Sequence, residues 1–161
     1  MAVYMSWQGD STITGDVTDQ NHQQWIELTS FQWGVGRGIG PATSGQASRE
    51  SSIPSISEMV VTKKMDSASP GLWTDSVAGQ LNSTVTIVFT TTAQGDTKEF
   101  LKYELTNTGL SGYSVSSGGD MPTESLSLNF TKVSWTFTST DPSVSGTPTT
   151  QGYDLTTNTT T

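Results

Sequence analysis

A strand that runs directly into a short helix is the feature of this sequence that most constrains its fold. From Met59 to Met65, β-branched and long side chains alternate for several positions, which is the period of a pleated strand. Ser69 and Pro70 follow this strand. They predict a helix start with Ser69 as the N-cap, because serine accepts hydrogen bonds from unpaired helix N–H groups and proline suits the first turn.

The predicted helix spans about residues 70–78. Gly79 indicates its end, since glycine is common just beyond the last helical residue. A helix of this length is not stable alone. We therefore expect its apolar residues, Leu72, Trp73 and Val77, to pack against a sheet.

The other periodic segments indicate strands. Hydrophobic residues make up only 32% of the chain, and threonine, serine and glycine take their place. Threonine favours strands, whereas glycine and serine favour turns. The sequence therefore predicts a mainly β protein with long polar connections. The predicted strands lie near residues 3–7, 25–35, 59–65, 84–90, 100–105, 111–117, 126–137 and 152–155.

The apolar period changes phase within the segment near residues 126–137. Residues 126–130 alternate in one phase and residues 133–137 in the other, with the change at Thr131 and Lys132. A β-bulge at this point would re-aim the second half of one strand. Alternatively, one long strand buries different faces at its two ends, as in a barrel or in a sheet that continues across a subunit boundary.

A long loop is predicted from Gly36 to Ser57, where glycines and prolines break any regular element. Such loops are uncommon in compact domains unless they are functional or disordered. Two interpretations stay open: a flexible insertion, or an extended loop that becomes ordered on a neighbouring subunit. Its charged and apolar residues are Arg37, Ile39, Arg49, Glu50, Ile53 and Ile56.

Charge and composition exclude several kinds of partner. The formal net charge is −8, from 15 acidic and 7 basic residues, which argues against nucleic acid and against an anionic membrane surface. The chain has no cysteine, so disulfides and thiolate zinc sites are impossible. Its N-terminal residues lack the basic and apolar regions of a cleavable signal peptide. No run approaches the roughly 18 apolar residues of a membrane span, so we expect no membrane insertion.

The residues that catalysis needs are scarce. His22 is the single histidine, and its polar neighbours Gln23 and Gln24 predict a solvated surface residue. No Gly-x-Ser-x-Gly turn presents a serine nucleophile, and the glycine-rich segment 34–40 lacks the terminal lysine of a P-loop. No sequence feature marks a carboxylate as buried. We therefore expect no enzyme, and no catalytic, cofactor or metal site.

Four blocks in order resemble the Hcp family, the tube proteins of type VI secretion. The strand and helix at residues 59–72 resemble its "TK..D.ASP.L" element, and residues 114–133 resemble its "S.S..GG......E..SLNF.KV" pattern. Residues 1–5 are similar to its opening and residues 26–35 to its "I.V.S..WG." strand. In addition to these four blocks, residues 153–158 resemble its closing strand.

The resemblance implies a fold and an assembly. The fold is a two-sheet antiparallel β-barrel or sandwich with one short helix, in a single tube domain over residues 1–161 whose last part, 139–161, is a partly flexible tail with a short strand. Six copies close into a ring, and rings stack into a tube that a contractile sheath expels. Implied partners are the sheath, baseplate and spike proteins and small effector proteins. The implied location is the bacterial cytoplasm before firing, then outside the cell or in a target cell.

The resemblance also suggests roles for two sets of residues. The long loop becomes the ring-stacking arm, and small polar residues opposite the core face become candidates for the lumen, although they could also face solvent on an ordinary sheet. The stacking residues are Arg37, Arg49, Glu50, Ile53 and Ile56, and the lumen residues are Gln32, Ser114 and Ser116.

Three other classes of protein are alternatives. A phage-type tail-tube protein has the same structural logic. A ligand- or carbohydrate-binding β-sandwich would carry exposed aromatic residues on loops, whereas Trp25, Trp33, Trp73 and Trp135 lie within periodic elements. A small hydrolase is disfavoured by the single histidine.

Overall fold

The computed structural model describes residues 1–41, 51–93, 95–141, 143 and 146–161. Strands dominate these ranges, and one α-helix accompanies them. The helix is α1 (Ser69–Ala78). The strands are β1 (Ala2–Gln8), β2 (Ile26–Leu28), β3 (Ser30–Gln32), β4 (Val35–Gly36), β5 (Ser55–Ile56), β6 (Met59–Lys64), β7 (Ser83–Ala93), β8 (Asp96–Ser116), β9 (Thr123–Asn129), β10 (Lys132–Phe137), β11 (Thr149–Asp154) and β12 (Thr159–Thr160).

Two antiparallel sheets share the long strand β8. The large sheet has the order β12-β11-β10-β8-β7-β1-β2, and the small sheet has the order β3-β6-β9-β8. Within the described ranges, no strand pairing other than those of β8 joins the two sheets. The fold is therefore a sandwich and not a closed barrel. The predicted fold class is confirmed: mainly β, two antiparallel sheets and one short helix.

Strand β8 corrects the expectation of two separate strands at residues 100–105 and 111–117. It runs without interruption for 21 residues. Its first part pairs with β7 and β10, and its last part pairs with β9. The strand passes from the large sheet to the small one between Thr108, which pairs with Ser83, and Gly109, which pairs with Asn129. Asn107, just before this point, has a φ of 50°, and the register shift between Leu110 and Gly112 just after it adds bend and twist.

A change of sheet explains the change of phase near Thr131. Strand β9 ends at Asn129 in the small sheet, and β10 begins at Lys132 in the large sheet. The interpretation as a bulge within one strand is therefore wrong. Leu128 and Val133 are both buried, because the two sheets present opposite faces to the core between them.

The core lies between the sheets and is closed at one end by the helix. Side chains with no exposed surface line it from the large sheet, from the small sheet and from α1. They include Met5, Ile87, Leu105, Met59, Val61, Leu126, Leu128 and Leu72.

The helix begins one residue earlier than predicted, and its N-cap differs. Ala68 occupies the N-cap position and makes no side-chain capping bond. The Asp66 carboxylate instead accepts a hydrogen bond from the Ala68 N–H at 3.0 Å. Ser69 is therefore not the N-cap, and its hydroxyl turns toward the buried ions described below. Pro70 lies in the first turn, as predicted.

The helix packs through a narrower face than its sequence predicts. Leu72 is fully buried, but 54% of Trp73 and 63% of Val77 are exposed. The expectation that these two residues pack against a sheet is wrong. The buried positions Ser69, Gly71 and Leu72 form the contact face, and a Cβ on Gly71 would lie 2.8 Å from the Ile13 side chain. Glycine thus permits the close approach of the helix.

The predicted loop 36–57 is partly a hairpin. Strands β4 and β5 pair Val35 with Ile56, and an isolated bridge joins Ile39 to Ser51. The hydroxyl of Ser52 accepts a hydrogen bond from the Gly38 N–H at 2.9 Å. The ends of the segment are therefore ordered against each other. Two of the predicted stacking residues, Arg49 and Glu50, lie outside the described residues.

Candidate functional site

A buried ion cluster joins the small sheet to the start of the helix. The Lys63 ammonium lies 2.8 Å from a carboxylate oxygen of Glu124 and 2.8 Å from one of Asp66. Lys63 also donates to the Ser69 hydroxyl at 3.1 Å, and Ser69 donates to Glu124. Neither Lys63 nor Glu124 has any exposed side-chain surface. The cluster therefore fixes β6, β9 and α1 to one another.

The pairing of β6 with β9 brings Lys63 and Glu124 together. Lys63 pairs directly with Glu124 across β6 and β9, so both side chains point to the same face. Lys63 follows Met59 and Val61 at a spacing of two, and Glu124 precedes Leu126 at the same spacing. Sequence reasoning missed the cluster. A signal was present, because each of the two strands has a charged residue where its alternating apolar pattern would place a buried one, and the two charges are opposite.

The two carboxylate oxygens of Glu124 differ in their hydrogen bonding. Burial opposes ionisation, but hydrogen bonds from Lys63 and Ser69 outweigh it and hold the pKa of Glu124 below its ordinary value. The other carboxylate oxygen, Oε2, makes no direct hydrogen bond among the described residues. Burial, followed by the nearby Glu124 carboxylate, raises the pKa of Tyr113 to about 12. Glu124 is therefore ionised and Tyr113 neutral near pH 7.

Acid is expected to weaken this ion cluster. Folding lowers the pKa of Glu124, so its contribution to stability is complete above the unfolded carboxyl pKa and is lost as pH falls through the folded one. The free energy of unfolding should therefore fall less steeply with acid in E124Q than in the wild type. Urea titrations at a series of pH values measure this, with E104Q, at an exposed carboxylate, as the control. Parallel profiles for E124Q and wild type would contradict the expectation.

His22 is buried and not solvated, contrary to the sequence prediction. Only 1% of its surface is exposed. Its Nδ1 lies 2.6 Å from Asp19 Oδ2, and its Nε2 lies 2.7 Å from Glu99 Oε1. The neighbours Gln23 and Gln24 gave no sign of this, because the ring packs against Tyr4 and Trp25 and also contacts Glu99, 77 residues away.

The predicted lumen residues share one sheet face. Gln32 lies opposite Val60 in the small sheet, on the side away from the core, and is exposed. Ser114 lies opposite Ser125 on that same side, and Ser116 follows two residues along β8. This polar face also carries Ser30, Thr62, Ser125 and Ser127, with a 2.8 Å hydrogen bond between Thr29 and Thr62 beside it. The face is therefore mostly polar, and most of its side chains are short.

An apolar groove lies between the β4–β5 hairpin and the end of the large sheet. Its volume is about 220 Å³. Exposed apolar residues line the groove on both sides, Val35 on the hairpin and Trp135 on β10. The lining includes Trp33, Val35, Pro54, Ile56, Trp135 and Tyr153.

The described stacking residues differ in their exposure. Arg37 and Ile53 are exposed, and Ile53 exposes 65% of its surface. Ile56 is half-buried and packs against the core cluster. The hairpin thus offers Arg37, Ile39 and Ile53 for contacts outside the domain, while Ile56 anchors the hairpin to it.

The ion pair is buried, the outer face of the small sheet is mostly polar, and the groove is mostly apolar. Within the described ranges, no group of three or more His, Asp or Glu side chains is arranged to hold a metal ion. None of the helical residues described forms a helix long and apolar enough to cross a membrane.

Solved structures of type VI secretion proteins match nearly the whole chain. A structure described as a type six secretion system protein matches with a TM-score of 0.87 and 31% sequence identity, and the match covers 99% of each chain. Hcp1 from Salmonella typhimurium matches with a TM-score of 0.74 and 24% identity over 100% of each chain. A type VI secretion system effector from Yersinia pestis matches with a TM-score of 0.73 and 19% identity, over 94% of this chain and 98% of that one. The two matches below 25% identity show a shared fold.

These observations define the class as a two-sheet β protein of type VI secretion. Residues 4–137 match the sequence model of the family described as type VI secretion system effector, Hcp. The chain belongs to the Hcp family, and the resemblance of its four sequence blocks is confirmed. Among curated proteins, none is similar enough to the chain to count as a match.

Proposed function

We propose that this chain is the subunit of a type VI secretion tube. Six copies close into a ring, rings stack into a tube that is expelled from the cell, and the lumen carries small effector proteins. The supporting observation is the apolar groove with its exposed flanks, which nothing covers in a single copy. The membership of the chain in the Hcp family points to other copies as the cover. Contiguous exposed apolar surface on a soluble domain marks an interaction site.

Ring closure uses the open edges of the sheets. Strands β2 and β12 are the two edges of the large sheet, and β3 is an edge of the small sheet. Exposed edges invite pairing with other chains unless a partner covers them. A cyclic ring needs two different complementary surfaces on each subunit, and two edges of one sheet meet that need.

Stacking uses the hairpin. Arg37, Ile39 and Ile53 are exposed on it, and the predicted arm includes Arg49 and Glu50. Each copy carries a net charge of −8, so rings repel one another at long range. Contacts between rings therefore depend on local apolar and charge complementarity, which suits a tube that comes apart after delivery.

The lumen is lined by the polar face of the small sheet. Gln32, Ser114 and Ser116 offer hydrogen bonds without a large apolar surface. Such a surface holds a small effector reversibly. The work of the protein is then mechanical, with the sheath, baseplate and spike of the machine as its other partners. The protein lies in the bacterial cytoplasm before firing and outside the cell or in a target cell afterwards.

Substituting Ile53 by aspartate is expected to leave rings intact and abolish their stacking. The side chain is 65% exposed in one copy, so a charge there costs the fold little but opposes an apolar contact between rings. Native mass spectrometry counts the copies in a ring, and negative-stain imaging shows whether rings form tubes.

V77D is the matched control for this experiment, because Val77 is 63% exposed and lies on the helix. V77D should stack as the wild type does. Normal tubes of I53D would contradict the stacking role of the hairpin. A wild-type protein that stays monomeric at high concentration, without rings, would overturn the proposed function itself.

A further inference from the structure

We propose that Asp19, His22 and Glu99 form a pH-sensitive clasp that fastens the loop of residues 9–25 to strand β8. The loop connects β1 to β2 and has no regular secondary structure of its own. Glu99 lies near the start of β8, in the hairpin with β7. The clasp is thus a contact between a loop and a distant part of the large sheet.

The geometry requires a charged ring. Both imidazole nitrogens of His22 lie within 2.7 Å of a carboxylate oxygen, at 2.6 Å for Asp19 and 2.7 Å for Glu99. A carboxylate only accepts hydrogen bonds, so both contacts are made at once only when both nitrogens carry a proton. The closed clasp therefore contains an imidazolium between two carboxylates.

Two aromatic rings lie close to the clasp. Tyr4 of β1 lies 5.0 Å from the His22 ring, tilted by 30°, and Trp25 lies 4.9 Å away in an edge contact. Burial, then the charges of Asp19 and Glu27, raise the pKa of Tyr4, so its hydroxyl stays neutral. Asp19 also accepts weakly from Thr97 at 3.4 Å. The two carboxylates in direct contact with the ring, Asp19 from the loop and Glu99 from β8, supply the negative charge that an imidazolium needs.

Strong acid opens the clasp. The hydrogen bond from His22 holds the pKa of Asp19 below its ordinary value, so Asp19 stays ionised in mild acid. Its contribution is lost only as pH falls through that lowered pKa. The clasp therefore stays closed in mild acid.

Opening the clasp frees the loop without breaking the sheets. The loop keeps Ile13 buried against Gly71 of the helix, and its Asp16 accepts a hydrogen bond from the Ser67 N–H at 3.1 Å. The pairing of β7 with β8 does not depend on the loop. Opening therefore loosens the part of the loop that carries Asp19 and His22, while Ile13 stays in the core cluster and the sheets stay folded, as in local unfolding of one unit.

Nuclear magnetic resonance of the full chain tests this directly, because its single histidine gives one pair of ring ¹⁵N signals. Both ring nitrogens should be protonated while the loop amides of Gly15, Val17 and Gln24 are protected from hydrogen exchange. Each of these amides donates a backbone hydrogen bond within the loop. Loss of a ring proton and loss of this protection should occur together. A ring with one unprotonated nitrogen beside a fully protected loop would overturn the clasp.

The H22Q variant isolates the charge, since glutamine keeps polar contacts but cannot ionise. Protection factors of the three loop amides should fall by about tenfold or more, because hydrogen bonds to charged groups are the strong ones, and should no longer vary with pH. The amides of Ile87 and Leu105, in core strands, should keep their protection. Loop protection in H22Q with the wild-type pH dependence would refute the proposal.

The E99Q variant covers the case in which H22Q fails to fold. Glu99 is 43% exposed, so its substitution leaves the core intact. We expect the same loss of loop protection, smaller in size because the Asp19 contact remains. An E99Q loop that is as protected as the wild type at every pH would refute the contact with β8.

Discussion

Replacing Lys63 by methionine is expected to destabilise the protein by about 3–5 kcal/mol, because it leaves the buried Glu124 without its counter-ion. Lys63 and Glu124 have no exposed side-chain surface and are 2.8 Å apart. Water cannot solvate the orphaned carboxylate, and Ser69 alone does not neutralise it. Urea unfolding followed by tryptophan fluorescence measures the loss.

A double variant separates the cost of an orphaned charge from the value of the pair. Replacing a buried ion pair by apolar residues of similar volume is often neutral or stabilising. K63M/E124M should therefore be more stable than K63M alone. A double variant as unstable as the sum of both single variants would contradict this account.

The exposed pair of Lys102 and Glu104 provides the matched control. Their charged atoms are 3.1 Å apart, but both side chains are well exposed. Exposed pairs contribute about 0–1 kcal/mol, so K102M should barely change the free energy of unfolding. The wild type and its variants must be compared in the same state of assembly, because association stabilises the folded chain.

The second large loss of stability is expected from a substitution at Leu72 of the helix, but not at its neighbour Trp73. Leu72→Ala should cost about 2–5 kcal/mol, the range for deleting a large aliphatic side chain from a core. Leu72 is fully buried, whereas Trp73 is 54% exposed. Trp73→Ala should cost less than about 1 kcal/mol, as surface substitutions usually do.

Denaturant titrations of both variants decide this prediction. Equal losses for Leu72→Ala and Trp73→Ala would show that Trp73 is an anchor of the helix, as the sequence first suggested. A small loss for Leu72→Ala would instead show that the core closes over the vacant space. The pair is informative because the two side chains share one helix turn.

Much of the fold follows from local patterns. The period of two predicted most strands, and Pro70 with Gly79 predicted the helix to within one residue. These signals are readable because each depends on residues that are close in sequence. The same holds for the four blocks that resemble the Hcp family, which the family match and the solved structures confirm.

The errors arose where distant contacts decide the outcome. His22 contacts Tyr4 and Glu99, which are distant from it in sequence, and the Lys63–Glu124 pair joins residues 61 positions apart. The continuity of β8 was missed because residues 106–109 carry no apolar alternation, although Thr106 and Thr108 pair in the large sheet and Gly109 pairs in the small sheet. The exposure of Trp73 depends on how the helix rotates on the sheet, which its weak apolar face does not determine.

The shared strand β8 has a mechanical consequence. One backbone of 21 residues, roughly 65 Å of extended chain, runs through both layers of the domain. A load applied to either layer therefore passes to the other along covalent bonds, without crossing a weak side-chain contact. Shearing the layers apart would require tearing the ladders on both sides of this strand. The two layers are thus joined by continuous backbone as well as by side-chain packing.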